Sequence, residues 1–152
     1  MCSIPFTAKS FLKSCGVACL GAGYLVSFLE SCGTTKRIQA PIESSDLVVD
    51  LSAFDNRGKR DNPFHLAVIA DNELLQDPIC IFRAADGQSY TALLMRCTHQ
   101  GAQLQLFGDK LQCPAHGSEF DPKGAVVQGP AVDQLRTFPV SIQGAQLRIS
   151  LK

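Results

Sequence analysis

Cys97-Thr-His99-Gln-Gly101-Ala and, with thirteen residues between His99 and the next cysteine, Cys113-Pro-Ala-His116-Gly-Ser118 decide how this chain is read. Each segment sets a thiol and an imidazole within a turn's length of one another. A buried cysteine by itself is ordinarily packing, and a lone histidine is ordinarily a surface or satisfied core residue. Two of each in two matched segments go beyond either explanation. If both segments are tight reversals between short strands, their tips can meet at one centre. Cys₂His₂ is a tetrahedral zinc set as well as a cluster set, so chemistry alone leaves both open. Finger-type zinc sites, however, group like ligands, whereas each segment here carries one of each kind. Thr98, Gly101, Pro114 and Gly117 make loops able to approach an inorganic group closely, with backbone N–H groups free to point at it.

Around these segments the apolar residues from 46 onward come in short groups, many alternating or β-branched, divided by Gly, Pro, Asn and Asp. Asp46–Leu51, Phe64–Ala70, Ile79–Arg83, Tyr90–Arg96, Leu135–Val140 and Gln146–Leu151 read as strands. Asp86-Gly87, Gly108-Asp109 and Gly144 mark reversals, because these residue types tolerate the positive φ that tight turns demand. No long 3.6-residue period is present, so the body is expected to be all-β and mainly antiparallel, with few or no helices. Cys80, inside an apolar strand, reads as packing.

The 152 residues, 45% of them apolar, suffice for one domain with a modest core. The formal net charge is zero with the two signs interspersed, so the basic stripe of a nucleic-acid binder is missing. Of the seven cysteines, Cys2, Cys15, Cys19 and Cys32 fall in the first 32 residues, and Cys80, Cys97 and Cys113 in the body. A stapled secreted domain would instead spread its cysteines through the folded part.

The Cys-x-His and Cys-x-x-His segments resemble the Rieske family. The resemblance covers about residues 46–152 in strand order and is most specific over 97–131. It implies a β-sandwich base with a small cluster-binding subdomain at about 95–120, and a two-iron, two-sulfur cluster held by Cys97, His99, Cys113 and His116, the cysteines on one iron and the histidines on the other. Gly101, Gly117, Ser118, Phe120 and Pro130 would surround it; Gly129-Pro130-Ala131, with Leu135 and Phe138-Pro139, is similar to the loop that covers the cluster. Respiratory members tie their ligand loops with a disulfide, and Ala102 and Ala115 stand at those positions. Ser118 matches the serine that bonds a bridging sulfide, whereas Phe120 stands where high-potential members have a tyrosine, which implies a middle reduction potential. The implied role is electron transfer rather than stand-alone catalysis, with redox proteins, a cytochrome or a quinol as partners. The alternatives are a ferredoxin feeding an oxygenase and a zinc-stabilised binding module. An oxygenase's own catalytic subunit would need a mononuclear-iron domain for which this length has no room.

Lys9 and Lys13 precede an almost uncharged run, Cys15–Leu29, which fits a secretory signal better than a spanning helix of about 20 residues. Leu29-Glu-Ser-Cys32 resembles a bacterial lipobox, with Glu30 in place of the usual small residue. Residues 1–32 are thus expected to be a leader ending at a lipidated Cys32, or an N-terminal anchor. Residues 33–45 read as a polar tether and 46–152 as the domain. The expected location is the bacterial cell envelope, membrane-anchored and facing the periplasm.

Overall fold

The computed structural model describes residues 35–56 and 64–152. The leader, the Cys32 motif and the start of the tether lie outside the described residues. Among the described residues, thirteen strands form three sheets. The central sheet holds β1 (Lys36–Gln39), β4 (Ala67–Asp71), β5 (Ile79–Arg83), β6 (Tyr90–Leu94) and β11 (Thr137–Phe138), in that order. A second sheet holds β12 (Val140–Gln143), β13 (Gln146–Ser150), β3 (Asp46–Asp50) and β2 (Ile42–Glu43). The third holds β10 (Val126–Gln128), β9 (Glu119–Phe120), β8 (Lys110–Gln112) and β7 (Gln105–Phe107). The only described helix is a single 3-10 turn, Leu51–Phe54.

Burial explains why β5 reads Ile-Cys-Ile-Phe rather than alternating apolar with polar. Ile79 and Ile81 point to one core, shared with Val68, Ala70, Ala92 and, from the second sheet, Leu47, Val49, Leu147 and Ile149. Cys80 and Phe82 point to the other, with Ala67, Ile69 and Leu93 of the same sheet, Leu111 and Phe120 of the third, and Leu104 just before β7. A sheet covered on both faces loses the solvent-facing half of its alternation. Cys80 is fully buried in that second core, and burial pushes its thiol pKa well up, as expected of a small apolar filler.

The expected strands appear, with shifted ends. Leu135–Val140 is two strands, because Pro139 has no N–H to give and the chain changes sheets there: Phe138 pairs with Ala92, while Val140 pairs with Ile149. Residues 36–43 are not a tether. β1 pairs with β4, the one parallel pairing among the described residues, β2 pairs with β3, and Ala40 between them is buried. Their polar residues face outward, Arg37 gripping Asp71 through two hydrogen bonds, which disguised two edge strands as a linker. The reversals stand where the turn residues placed them: Gly87, Gly108 and Gly144 all have positive φ, and the Asp86 carboxylate accepts hydrogen bonds from Ser89 and from the N–H of Gln88.

The third sheet belongs to an insertion. β6 ends at Leu94 and its antiparallel neighbour β11 starts at Thr137, so everything between leaves and re-enters the central sheet at adjacent points. The Leu94 N–H donates to the Arg136 carbonyl and closes the neck. The subdomain therefore runs past 120: a turn at Asp121–Ala125, in which the Asp121 carboxylate caps the N–H groups of Lys123 and Ala125, returns β10 onto β9.

Ile81 is fully buried in the core between the two base sheets. Ile81→Ala is expected to lower unfolding stability by about 2–5 kcal/mol, read as a urea midpoint, while Cys80→Ala retains the fold with a smaller loss. Equal losses for the two would contradict these packing roles.

Candidate metal centre

Two loops of the insertion share one hydrogen-bond pattern. In the first, the Cys97 N–H donates to the Ala102 carbonyl and the Gly101 N–H donates back to the Cys97 carbonyl. In the second, the Cys113 N–H donates to the Ser118 carbonyl and the Gly117 N–H to the Cys113 carbonyl. Each loop closes four residues after its cysteine on a glycine in the left-handed region, Gly101 at φ +74° and Gly117 at φ +76°. The isolated bridge between Arg96 and Gln103 holds the base of the first loop, and β8–β9 pairing holds the second.

This geometry brings the expected ligands together in two pairs. Cys97 and Cys113 are buried, 2% and 1% exposed, and lie within hydrogen-bonding reach of one another as free thiols. His99 and His116 stand on the exposed side, their rings edge to face with centroids 5.0 Å apart. Burial alone would push the Cys113 thiol up, but the N–H groups of His116 and Ala115 aimed at its sulfur, with Cys97 beside it, hold its pKa below the ordinary value. Among the described residues no three His, Cys, Asp or Glu are grouped to hold a single metal ion. The donors fall instead into two pairs, thiols inside and imidazoles outside, which suits a binuclear cluster with two protein ligands to each iron.

The expected neighbours take different places. Ser118 is fully buried, and its Oγ accepts the Ala131 N–H at 3.0 Å, which leaves its own O–H free to donate. Phe120 is fully buried and packs into the core below the loops. Pro130 is exposed in a third loop, after a cis peptide bond with Gly129. That loop braces both ligand loops: Thr98 Oγ1 donates to the Asp133 carbonyl at 2.7 Å, and Gln128 Nε2, at its start, donates to the Gly117 carbonyl at 3.1 Å. The bracing roles of Gln128 and Asp133 carry no sequence signal, since both contacts join segments brought together only by the fold. Arg96, also without a sequence signal, lies across Gly101, where a Cβ would meet its Nε and Nη2 at 3.3 Å.

A β base carrying an inserted pair of Cys/His loops defines a small β protein with a candidate metal centre. The chain belongs to the Rieske [2Fe-2S] domain family, which matches residues 61–139, and the cofactor of that family is a Rieske-type 2Fe-2S cluster, through which its domains transfer electrons. It is 34% identical over 80 residues to a cytochrome b6-f complex iron-sulfur subunit of Synechocystis sp., covering 51% of this chain and 45% of that one. It is 40% identical over 68 residues to the oxygenase component of chloroacetanilide N-alkylformylase from Rhizorhabdus wittichii, covering 43% of this chain and 19% of the relative. The chain thus spans less than half the length of these two relatives. The ferredoxin of carbazole 1,9a-dioxygenase from Nocardioides aromaticivorans superposes with a TM-score of 0.51 at 23% identity, covering 72% of this chain and all of that one, and so shares the fold.

Gly101→Ala and Gly108→Ala both force a residue with a Cβ into the left-handed region, and only the first also meets the Arg96 guanidinium. The first is expected to cost about 1–3 kcal/mol of folding stability and the second clearly less. Urea titration of the two variants side by side reads the order, and a reversal of it would refute the close approach of Arg96 to this loop.

Proposed function

We propose that Cys97, His99, Cys113 and His116 hold the 2Fe-2S cluster, and that the protein is a one-electron carrier in a membrane-associated periplasmic redox chain, as the iron–sulfur subunit of a quinol-oxidising complex. The observation that carries the ligand assignment is the sorting of the four donors into two buried thiols and two exposed imidazoles on matched loops. When bound, the cluster supplies reversible one-electron storage, at potentials that Rieske centres spread over roughly −150 to +300 mV. The buried cysteines anchor it on the protein side and exclude water there. The exposed imidazoles offer the short path outward. The membrane placement rests on the Cys15–Leu29 run and on Cys32 after it, with residues 1–32 as leader or anchor. Among the described residues no helix is long and apolar enough to cross a membrane.

One observation favours a second reading, a ferredoxin component feeding an oxygenase. Ala102 and Ala115 leave the loops without the disulfide of respiratory members, and Cys80, Cys97 and Cys113 are all free. Low-temperature electron paramagnetic resonance of the dithionite-reduced protein tests the centre. A Rieske signal with two irons and two sulfides per chain is expected, and a silent, zinc-loaded protein would overturn it. Reduction by a short-chain quinol in membranes, against reduction by a soluble flavin reductase, separates the two roles.

A hydrogen bond to a cluster sulfur stabilises the more negative reduced state and so raises the potential. At about 1.4 kcal/mol per bond, one bond corresponds to about 60 mV for one electron. Ser118→Ala is expected to lower the potential by about that much and Phe120→Tyr to raise it, in redox titrations followed by visible spectra. An unaltered protein already at the top of the Rieske range would contradict the role assigned to Phe120. Separately, palmitate labelling should be lost in Cys32→Ala, and undiminished labelling would remove the lipid anchor.

A further inference from the structure

A groove of about 390 Å³ at the first ligand loop is lined by Leu94, Cys97, Thr98 and His99 and by two arginines, Arg96 and Arg136. The two arginines come from separate parts of the chain and meet because the insertion leaves and returns at adjacent strands, with the Leu94 N–H bonded to the Arg136 carbonyl. Both guanidiniums are held rather than free. Arg96 donates to Gln76 Oε1 at 3.1 Å, sits 3.5 Å from the Asp77 carboxylate, and lies along Gly101. Arg136 stacks over the Phe138 ring at 4.7 Å and reaches the Leu151 carbonyl with one nitrogen at 3.5 Å. Asp77 accounts for one of the two charges, and among the described residues no carboxylate pairs with Arg136. A planar guanidinium fixed in place recognises a carboxylate with little further loss of side-chain freedom.

We propose that this groove is the docking surface for an acidic redox partner protein, a carboxylate of which seats between Arg96 and Arg136 and sets the partner against His99. Charge complementarity selects the occupant: with Arg96 partly offset by Asp77, Arg136 leaves one cation uncompensated among the described residues, in a lining that includes the exposed His99. Fixed charges of this kind act mainly on encounter rate and orientation, and salt weakens them. The reading depends on His99 being a ligand of the centre, but anion binding in the groove does not.

Two readouts keep those dependencies apart. In the full-length cluster-loaded chain, the redox-inert trianion hexacyanochromate is expected to broaden selectively the amide signals of Gln76, Asp77 and Leu151, which touch the two guanidiniums away from the ligand loops. A tetraglutamate peptide should displace it, and an uncharged tetraglutamine peptide should not. Arg96→Gln with Arg136→Gln should abolish the selectivity, while Lys110→Gln, on another face, leaves it intact. Electron transfer from the reduced protein to ferricyanide should then fall several-fold in the double variant and become less salt-dependent, with transfer to the cation cobalt tris-phenanthroline unchanged or faster. Broadening spread evenly over surface cations, equal displacement by tetraglutamine, or unchanged ferricyanide rates would each overturn the proposal. Loss of the visible cluster spectrum in His99→Ala tests the ligand reading on its own.

Discussion

Everything beyond the base depends on the pairing of β6 with β11. Two residue pairs, Leu93 with Thr137 and Ala92 with Phe138, bring the ends of the insertion together. With its ends fixed as neighbours, the intervening chain is a closed loop whose remaining entropy must be offset by its own packing. The offset comes from one core, in which Leu93 and Met95 at the neck meet Leu104, Leu111, Phe120 and Leu135. Gly124 matters for the same reason: a Cβ there would come within 3.0 Å of Leu93, and its carbonyl accepts the Leu135 N–H. The cysteines of both ligand loops sit at the upper edge of that core, so their positions follow from its packing.

The matched hydrogen bonds of the ligand loops make each loop stiff, but stiffness within a loop does not register one against the other. A disulfide would do so, and Ala102 and Ala115 rule one out. Registration comes from the third loop, through Ser118 to Ala131, Thr98 to Asp133 and Gln128 to Gly117. Each is a modest bond of about 1 kcal/mol, and the three act in parallel on two loops that the core already places. Non-covalent registration of this kind survives a reducing environment that would open a disulfide.

The four proposed donors stand out in the sequence because their spacing is short and their residue types are rare together; nothing distant is needed to see them. Strands such as Ile79–Arg83 are legible for the same local reason. The edge strands β1 and β2 are not, since half of each faces water and the other half shows its purpose only against β4 and β3. The break at Pro139 is legible as a proline but not as a change of sheet. The far limit of the insertion escapes notice because β9 and β10 are two and three residues long, shorter than any pattern period can register. Arg96 and Arg136 are invisible as a pair until the neck brings them together.

The neck has a consequence for descent as well as for stability. A segment whose ends enter and leave through two adjacent antiparallel strands asks its host for nothing but those strands and one apolar face. Such a cassette can be transplanted between scaffolds that differ everywhere else, much as a hairpin tip tolerates guest sequences. That fits relatives as unlike in length and setting as a cytochrome b6-f complex subunit and the oxygenase component of an N-alkylformylase, each sharing with this chain only a stretch of its sequence.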